Sequence, residues 1–261
     1  MNSAETTVVS FDSHWSSSYG RLRLGSGAVH VWRACLDQSP LQVDKFQITL
    51  DDDERSRACR FYFSRDRQRF IVARGILRSI LAGYLGRIPS SISLTYGSHG
   101  KPALASESGA DAIRFNVSHS HGMALYALTR GREVGVDLEF IRRDVKAEQI
   151  AGQCFSHSEI IALQALPLSV RDDAFFLCWT RKEAYIKARG AGLSMPLDQF
   201  DVSLIPGEPA ALLNTQPDSD EALRWSLMNL TPACGYAAAL AVEGCDWTPS
   251  FWQWPRPMIE R

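Results

Sequence analysis

Hydrophobic residues in this chain are spaced first at a helical period and then at a strand period, and the second half of the chain repeats the pattern of the first. Apolar residues between 70 and 85 recur at three- and four-residue steps, and Gly86 follows as a C-cap, which predicts an amphipathic helix. Other predicted helical segments are 51–63, 146–165 and 170–189, and predicted strands are 29–36, 92–96, 113–118, 123–129, 134–141, 200–204, 223–230 and 236–242. This order favours an α+β fold built from two similar α+β halves that meet near residues 130–133, over a parallel βαβ fold.

The predicted boundaries give an N-terminal extension, two halves and a tail, at 1–27, 28–131, 132–245 and 246–261. The polar N-terminus lacks the basic start and apolar core of a signal peptide, and no apolar run reaches the ~18 residues that a membrane helix needs. The six cysteines are scattered without a C-x-x-C pair, which is typical of free thiols in a reducing compartment. We therefore expect a cytoplasmic protein that does not bind a membrane. The length and the two linked halves favour a monomer.

Positive charge is concentrated in one stretch, from Arg55 to Arg87. Nine arginines and one acid, Asp66, give this stretch a charge of +8, so that the remainder carries −9 in a chain with a net charge of −1. A local cluster of this kind favours an anionic, phosphate-rich ligand over nucleic acid, since nucleic-acid binding usually makes a whole domain basic. The alternative is a solvated helix face, which is the commoner outcome for charge runs.

Two acids share one face of the predicted strand at 134–141. Because side chains alternate along a strand, Asp137 and Glu139 point to the same side, while the intervening apolar residues point into a core. Neighbouring carboxylates repel each other, and a bound cation relieves that repulsion. Mg²⁺ favours one or two carboxylates together with substrate phosphates, so it fits this pair best, with Mn²⁺ as an alternative ion. A solvent-exposed strand face with two acids is the other interpretation.

The segment WTRKEAYIK, at 179–187, places Trp179, Glu183 and Lys187 on one stripe of a helix. Taken alone, Glu183 and Lys187 form an i,i+4 ion pair worth only ~0.3–0.5 kcal/mol. Next to a pair of carboxylates, however, Glu183 can be a third metal ligand or a base. Lys187 can then face a phosphate or a leaving group.

A Ser-His turn lies between two predicted strands, in FNVSHS at 115–120. Ser118 and His119 offer a hydroxyl, an imidazole and backbone N–H groups that suit a phosphate. A hydrolase triad is the alternative, but adjacent residues seldom point at each other, and the G-x-S-x-G elbow is missing. Lys101, in the turn Gly-Lys-Pro at 100–102, is a further cation.

Taken together and in this order, these segments resemble the 4′-phosphopantetheinyl transferases of the surfactin-synthetase-activating type. The matching pieces run from about residue 50 to 204: the arginine-rich stretch ending in F-x-x-x-x-D-x-x-R near Arg69, then GKP, FNVSHS, GVDLE at 135–139, WTRKEAYIKARGAGLS at 179–194 and PLDQFDV at 196–202. The resemblance implies two α+β halves related by a pseudo-twofold axis, with coenzyme A in the cleft between them.

The resemblance also implies roles for individual residues. Asp137, Glu139 and Glu183 resemble the magnesium ligands, and Lys187 would contact the pyrophosphate. Ser118, His119 and Lys101 would hold the nucleotide's phosphates, with His119 and Lys101 near the 3′-phosphate. The basic contacts to the adenosine side would be Arg57, Arg60 and Arg69, although several arginines lie close together there.

The implied reaction transfers the 4′-phosphopantetheine arm of coenzyme A to a serine of an apo acyl or peptidyl carrier protein and releases 3′,5′-ADP. Glu183, directly or through water, is the candidate base, and Lys187 is placed to stabilise the leaving phosphate. Fatty-acid, polyketide and nonribosomal-peptide carriers all fit. The alternatives are a non-catalytic coenzyme A-binding protein, which would lack one of the acids, and a Mg²⁺-dependent phosphohydrolase.

Overall fold

The structure is a computed structural model that describes residues 15–17, 22–105, 109, 111–190 and 192–255. Its helices are α1 Pro40–Gln47, α2 Asp52–Ala58, α3 Ser64–Leu85, α4 Ala147–Cys154, α5 His157–Ala165 and α6 Leu168–Arg189. Its strands are β1 Ala28–Cys35, β2 Leu94–Tyr96, β3 Pro102–Leu104, β4 Ile113–Ser120, β5 Met123–Arg130, β6 Val134–Phe140, β7 Phe200–Val202, β8 Leu212–Thr215, β9 Trp225–Leu230, β10 Tyr236–Glu243 and β11 Thr248–Gln253.

Two larger sheets follow the same topology. The first has the strand order β11-β1-β5-β4 and the second the order β6-β10-β9. In each half a first strand precedes a 22-residue helix, two antiparallel strands come after it, and the last of these lies between the other two. This repeat confirms the predicted α+β fold with two similar halves.

The halves stack as helix, sheet, sheet and helix. Helix α3 packs on the outer face of the first sheet through residues such as Ile76 and Leu77, and α6 covers the outer face of the second sheet. The inner faces meet in a separate apolar cluster that includes Val31, Val136 and Leu240. These inner side chains are completely buried, so the contact between the halves is a hydrophobic core of its own.

Strands β4 and β6 lie side by side at the junction of the two sheets and are joined by side chains. Three β4 side chains at alternate positions accept hydrogen bonds from three backbone N–H groups of β6 at alternate positions. The contacts are Val136 N to Asn116 Oδ1 (2.9 Å), Leu138 N to Ser118 Oγ (3.2 Å) and Phe140 N to Ser120 Oγ (3.2 Å). We call these three contacts the side-chain ladder. They satisfy buried N–H groups that would otherwise need backbone partners.

Some elements differ from the sequence-based expectation. The predicted helix at 146–165 is two helices, because Ser156 and Glu159 form a capping box that starts α5. Three elements were not predicted from the sequence: helix α1 and strands β3 and β8. The segment predicted to be a C-terminal tail contains β11, which pairs in parallel with β1 of the first sheet.

Residues 1–14 and 18–21 of the predicted N-terminal extension, and 256–261 of the tail, lie outside the described residues. Ser16, which is described, forms a bridge to Trp252 beside β11. Within the described parts of the chain, none of the helices has both the length and the hydropathy of a membrane-crossing segment.

Candidate active site

The candidate site forms where β6 approaches α6 unusually closely. A Cβ atom on Gly135 would lie 2.0 Å from the carbonyl oxygen of Ala184 and 2.4 Å from the amide nitrogen of Ala188, so only glycine fits this position. Gly135, Asp137 and Glu139 share the face of β6 that turns towards α6. Because the strand lies so close to the helix, both acids come beside the side chains of α6.

Asp137 is the most buried acid of the site, with 3% of the residue exposed. Its Oδ1 accepts hydrogen bonds from Lys187 Nζ (2.5 Å) and from the hydroxyl of Ser118 (2.9 Å). Its Oδ2 is buried and has no hydrogen-bond partner among the described residues. A buried carboxylate oxygen without a partner is unfavourable, so Oδ2 calls for a cation or a donor that a ligand would bring.

Glu139 and Glu183 line one cavity with Asp137, of about 320 Å³, together with Trp179, Ser118, His119 and Lys187. Burial, and then the charge of Asp137, raise the pKa of both glutamates. The Lys187 ammonium acts in the opposite direction on both, and the hydroxyl of Ser120 does so on Glu139, to whose Oε2 it donates at 3.0 Å. At both glutamates, burial and the charge of Asp137 therefore outweigh the attraction of Lys187.

Asp137, Glu139 and Glu183 could offer oxygen ligands to a hard divalent cation. Among the described residues, no three or more acidic, histidine or cysteine side chains are already arranged so that they could hold a metal ion by themselves. Mg²⁺, however, usually keeps several waters and takes its remaining ligands from one or two carboxylates and from substrate phosphates. The unpartnered Oδ2 of Asp137 and the mutual repulsion of the three acids suit that open kind of site.

Ser118 is buried between β4, β6 and α6, and its hydroxyl makes every hydrogen bond that it can form. It donates to Asp137 and accepts from Leu138 N (3.2 Å) and from Lys187 Nζ (3.1 Å). A serine hydroxyl has one hydrogen and two lone pairs, so none remains for another partner. A phosphate oxygen needs a donor, and the predicted phosphate contact would require breaking the bond to Asp137.

His119 is the next residue of β4; it is exposed and lines the cavity of the three acids. Desolvation, and then the nearby Lys187 charge, lower the pKa of its imidazole. His119 also lines a cavity of about 260 Å³ with Phe61, Arg69, Phe70 and His121, so it lies where the two cavities meet.

Lys101 is placed at the end of α6, away from the three acids. Its ammonium donates to Glu133 Oε2 (3.1 Å) and to the backbone carbonyls of Val134 (3.3 Å) and Ala188 (3.0 Å). Burial lowers its pKa, against the opposing effect of Glu133. Its side chain lines a cavity of about 280 Å³ that also contains Glu183 and Lys187, so this cavity adjoins the three acids from the other side.

The predicted arginine contacts fall into two groups. Arg57 and Arg60 are exposed, and Arg57 lies over the rings of Phe70 and Tyr96 at 5.7 and 5.5 Å. Arg69 instead pairs with both carboxylate oxygens of Asp37, at 2.7 and 2.8 Å.

Further along α3 the arginines serve the fold. Arg74 and Arg78 pair with the fully buried Glu54, each at 2.6 Å, and Arg78 also binds the carbonyl of Ile92. Arg74 and Arg78 therefore belong to a buried ion-pair network. The sequence had instead indicated a ligand-binding surface for the arginine-rich stretch as a whole.

The contacts of two residues near the site, Lys182 and Ser120, were not predicted from the sequence. Lys182, inside the WTRKEAYIK segment, is completely buried and pairs with Glu159 at 2.8 Å while donating to the carbonyls of Leu197 and Phe200. Ser120 bonds Glu139. Its signal was visible in the sequence as the third polar residue of the alternation at positions 116, 118 and 120, which share one face of the strand.

Two family descriptions match the chain, one on each half. Residues 35–129 match the 4′-phosphopantetheinyl transferase N-terminal family, and residues 133–241 match the 4′-phosphopantetheinyl transferase superfamily. The chain is 42% identical over 240 residues to the 4′-phosphopantetheinyl transferase HetI of Nostoc sp., which covers 92% of this chain and 98% of HetI. It is 30% identical to the 4′-phosphopantetheinyl transferase Sfp of Bacillus subtilis, over 62% of this chain and 69% of Sfp.

Among solved structures, the chain is similar to the holo-[acyl-carrier-protein] synthase of Thermotoga maritima, at 21% identity and a TM-score of 0.35, over 43% of this chain and 62% of that one. A Chronobacterium ammoniagenes ACPS–CoA complex matches at 21% identity and a TM-score of 0.32, over 44% of this chain and 98% of that one.

Proposed function

This chain belongs to the 4′-phosphopantetheinyl transferase superfamily, and we propose that the cavity lined by its three acids is where phosphopantetheine leaves coenzyme A. The chain is an enzyme that transfers the 4′-phosphopantetheine moiety to carrier proteins. The observation that supports this location is the meeting of Asp137, Glu139, Glu183 and Lys187 in one cavity between the halves.

Coenzyme A fits the cleft as the co-substrate because three adjoining cavities extend along β4. The cavity of the acids shares Glu183 and Lys187 with the one beside Lys101, and shares His119 with the one beside Arg69. A molecule with a diphosphate in its middle and a different group at each end matches this arrangement. We assign Arg57, Arg60, Arg69, Lys101, Ser118 and His119 to coenzyme A as a proposal. In it, Arg69, Lys101 and Ser118 must each exchange an internal partner for a phosphate.

Asp137, Glu139 and Glu183 are the residues that would hold Mg²⁺. When bound, the ion would neutralise charge on the diphosphate. The protein's own contribution is an all-oxygen ligand set, kept close together by the approach of β6 to α6.

Proton transfer is assigned to Glu183 and charge stabilisation to Lys187. The hydroxyl oxygen of the carrier serine attacks the phosphorus that bears pantetheine, and the bond from that phosphorus to the oxygen of 3′,5′-ADP breaks. Glu183, directly or through water, accepts the hydroxyl proton. The Lys187 ammonium, 2.5 Å from Asp137, supplies positive charge next to the departing phosphate.

The protein acts as a monomer in this proposal, because the described cleft is built from both halves of one chain. We further propose a cytoplasmic location and a carrier from fatty-acid, polyketide or nonribosomal-peptide synthesis.

The decisive experiment incubates the protein with coenzyme A, Mg²⁺ and a panel of apo carriers and follows the mass of each carrier. Transfer raises the carrier mass by one phosphopantetheine and releases one 3′,5′-ADP. An unchanged carrier with intact coenzyme A would indicate a binding protein, and hydrolysed coenzyme A with an unchanged carrier would indicate a phosphohydrolase. Either result on every carrier in the panel would overturn the proposal.

A further inference from the structure

The side-chain ladder between β4 and β6 does more than join the two sheets, because two of its three rungs also hold an acid of the site. The hydroxyl of Ser118 accepts from Leu138 N and donates to Asp137. The hydroxyl of Ser120 repeats the arrangement one step along, accepting from Phe140 N at 3.2 Å and donating to Glu139 Oε2 at 3.0 Å. Each serine is thus bonded to the carboxylate of one β6 residue and to the N–H of the next.

The geometry points to Ser120 as a positioning residue that orients Glu139 for cation binding. Glu139 is only partly buried; Asp137 repels its carboxylate, and Lys187 and Arg142 attract it without a hydrogen bond that would fix its direction. The rotation of a glutamate side chain about its three torsions is restricted by a bond to a fixed hydroxyl. Ser120 is fixed in turn by the N–H of Phe140, so the carboxylate direction follows from the register of the two strands.

Asn116 shows that the ladder itself does not require a carboxylate. Its Oδ1 accepts from Val136 N at 2.9 Å and has no acid to hold, since the preceding β6 residue is Gly135. The serines at the next two rungs therefore have a second partner that the sheet junction alone does not explain. Residues that hydrogen-bond a metal ligand typically change metal affinity by about 10- to 100-fold when they are replaced.

The inference rests on the proposed function, because it assumes that Glu139 is a cation ligand. The test is the binding of Mn²⁺, measured from the electron paramagnetic resonance signal of the free ion, with saturating coenzyme A. Wild-type protein is compared with Ser120→Ala, with Ser120→Thr, which retains a hydroxyl, and with Ser226→Ala. Ser226 is a matched control, since it is a strand serine in the second sheet that donates to the Gly244 carbonyl at 2.6 Å, outside the cavity of the acids.

We expect Ser120→Ala to raise the Mn²⁺ dissociation constant by about 10-fold or more, while Ser226→Ala leaves it unchanged and Ser120→Thr largely restores it. The Mg²⁺ concentration for half-maximal transfer should rise in parallel, with kcat recovering at saturating Mg²⁺. Equal Mn²⁺ affinity of Ser120→Ala and wild type would refute the positioning role. Failure of the wild-type protein to bind Mn²⁺ at all would instead refute the metal site, and the mass-shift assay would show separately whether transfer occurs.

Discussion

The hydrogen-bond partners of single residues at the site distinguish side chains that stabilise the fold from side chains that are available to a ligand. Asp137 is tied to Lys187 and Ser118 through one oxygen, whereas its second oxygen has no partner among the described residues. Glu183 shares the cavity and has a raised pKa, which burial and the neighbouring acids explain. A cavity-lining carboxyl group whose charged form is disfavoured by burial and by a neighbouring acid is a candidate for a functional role.

Glu183→Gln should therefore reduce transfer by about 10²–10⁴-fold, the usual contribution of a general base, without loss of stability. The substitution removes a charge that burial and Asp137 disfavour, so the free energy of unfolding should stay the same or rise slightly. The measurements are kcat from the mass-shift assay and a urea unfolding curve. Glu208→Gln is the control, because Glu208 is exposed in the same half. Near-normal turnover by Glu183→Gln would contradict the assignment of the base.

At the scale of elements, the site depends on how closely β6 and α6 pack. The distance between them is set by Gly135, since an added Cβ would overlap the backbone of α6 near Ala184. Both acids of β6 come within reach of Glu183 and Lys187 only because the strand lies this close. The glycine in GVDLE is thus as much a part of the site as the acids that follow it.

Gly135→Ala should lower the free energy of unfolding by about 3 kcal/mol or more, because neither backbone can yield without moving the whole helix. Gly152→Ala is a matched control, since Gly152 lies in α4 with open space around it. Alanine there should stabilise the protein by about 0.5–1 kcal/mol through helix propensity. Urea unfolding of both variants is the measurement. A Gly135→Ala protein as stable as wild type would mean that strand and helix are not in such close contact.

The elements that could be predicted are those with a clear period or cap. The predicted helix before Gly86 corresponds to α3 and the predicted strand at 134–141 to β6, because each has a buried stripe with its own spacing. The break between α4 and α5 was missed although Ser156 and Glu159 carry the signature of a capping box. Strand β11 could not be predicted, since it depends on pairing with β1, some 220 residues away, as in the contact of Arg33 with Gln253.

The site was predictable in part for the same reason. The alternation of Asp137 and Glu139 and the helical spacing of Glu183 and Lys187 are local patterns, and local patterns predict which side chains share a face. Which of the arginines of α3 remain available to a ligand depends on tertiary partners. Arg78 is buried because it pairs with Glu54, which lies 24 residues earlier in the chain. A pair so far apart in sequence cannot be predicted from residue spacing.

At the scale of the whole molecule, the chain passes from one half to the other twice. It crosses from β5 to β6, and it returns from β10 to β11, which completes the first sheet beside β1. On β11, Phe251 packs in the apolar cluster between the sheets and contacts Trp15, with the two rings tilted by 58° and their centroids 5.2 Å apart. We therefore expect the two halves to unfold as one cooperative unit even though each resembles a small domain.

Phe251→Ala should consequently lower the stability of the entire protein by about 3–5 kcal/mol, the usual effect of removing a buried phenylalanine side chain. The reference variant is Thr248→Ala, an exposed position on the same strand, with an expected change within about 0.5 kcal/mol. Far-ultraviolet circular dichroism and tryptophan fluorescence should give coincident unfolding curves for both. Two separate transitions would show that the halves unfold independently.

The side-chain ladder has a mechanical consequence for these two crossings. Both leave from the same end of the second sheet, where Glu133 and Glu243 exchange hydrogen bonds of 3.0 and 3.3 Å. If one half were to rotate slightly against the other about these crossings, the displacement would grow along β4 towards its far end. The last contact of the ladder, between Ser120 and Phe140, would then lengthen more than the other two. Because Ser120 also donates to Glu139, such a rotation would move Glu139 more than Asp137, while the backbone pairing within each sheet stays intact.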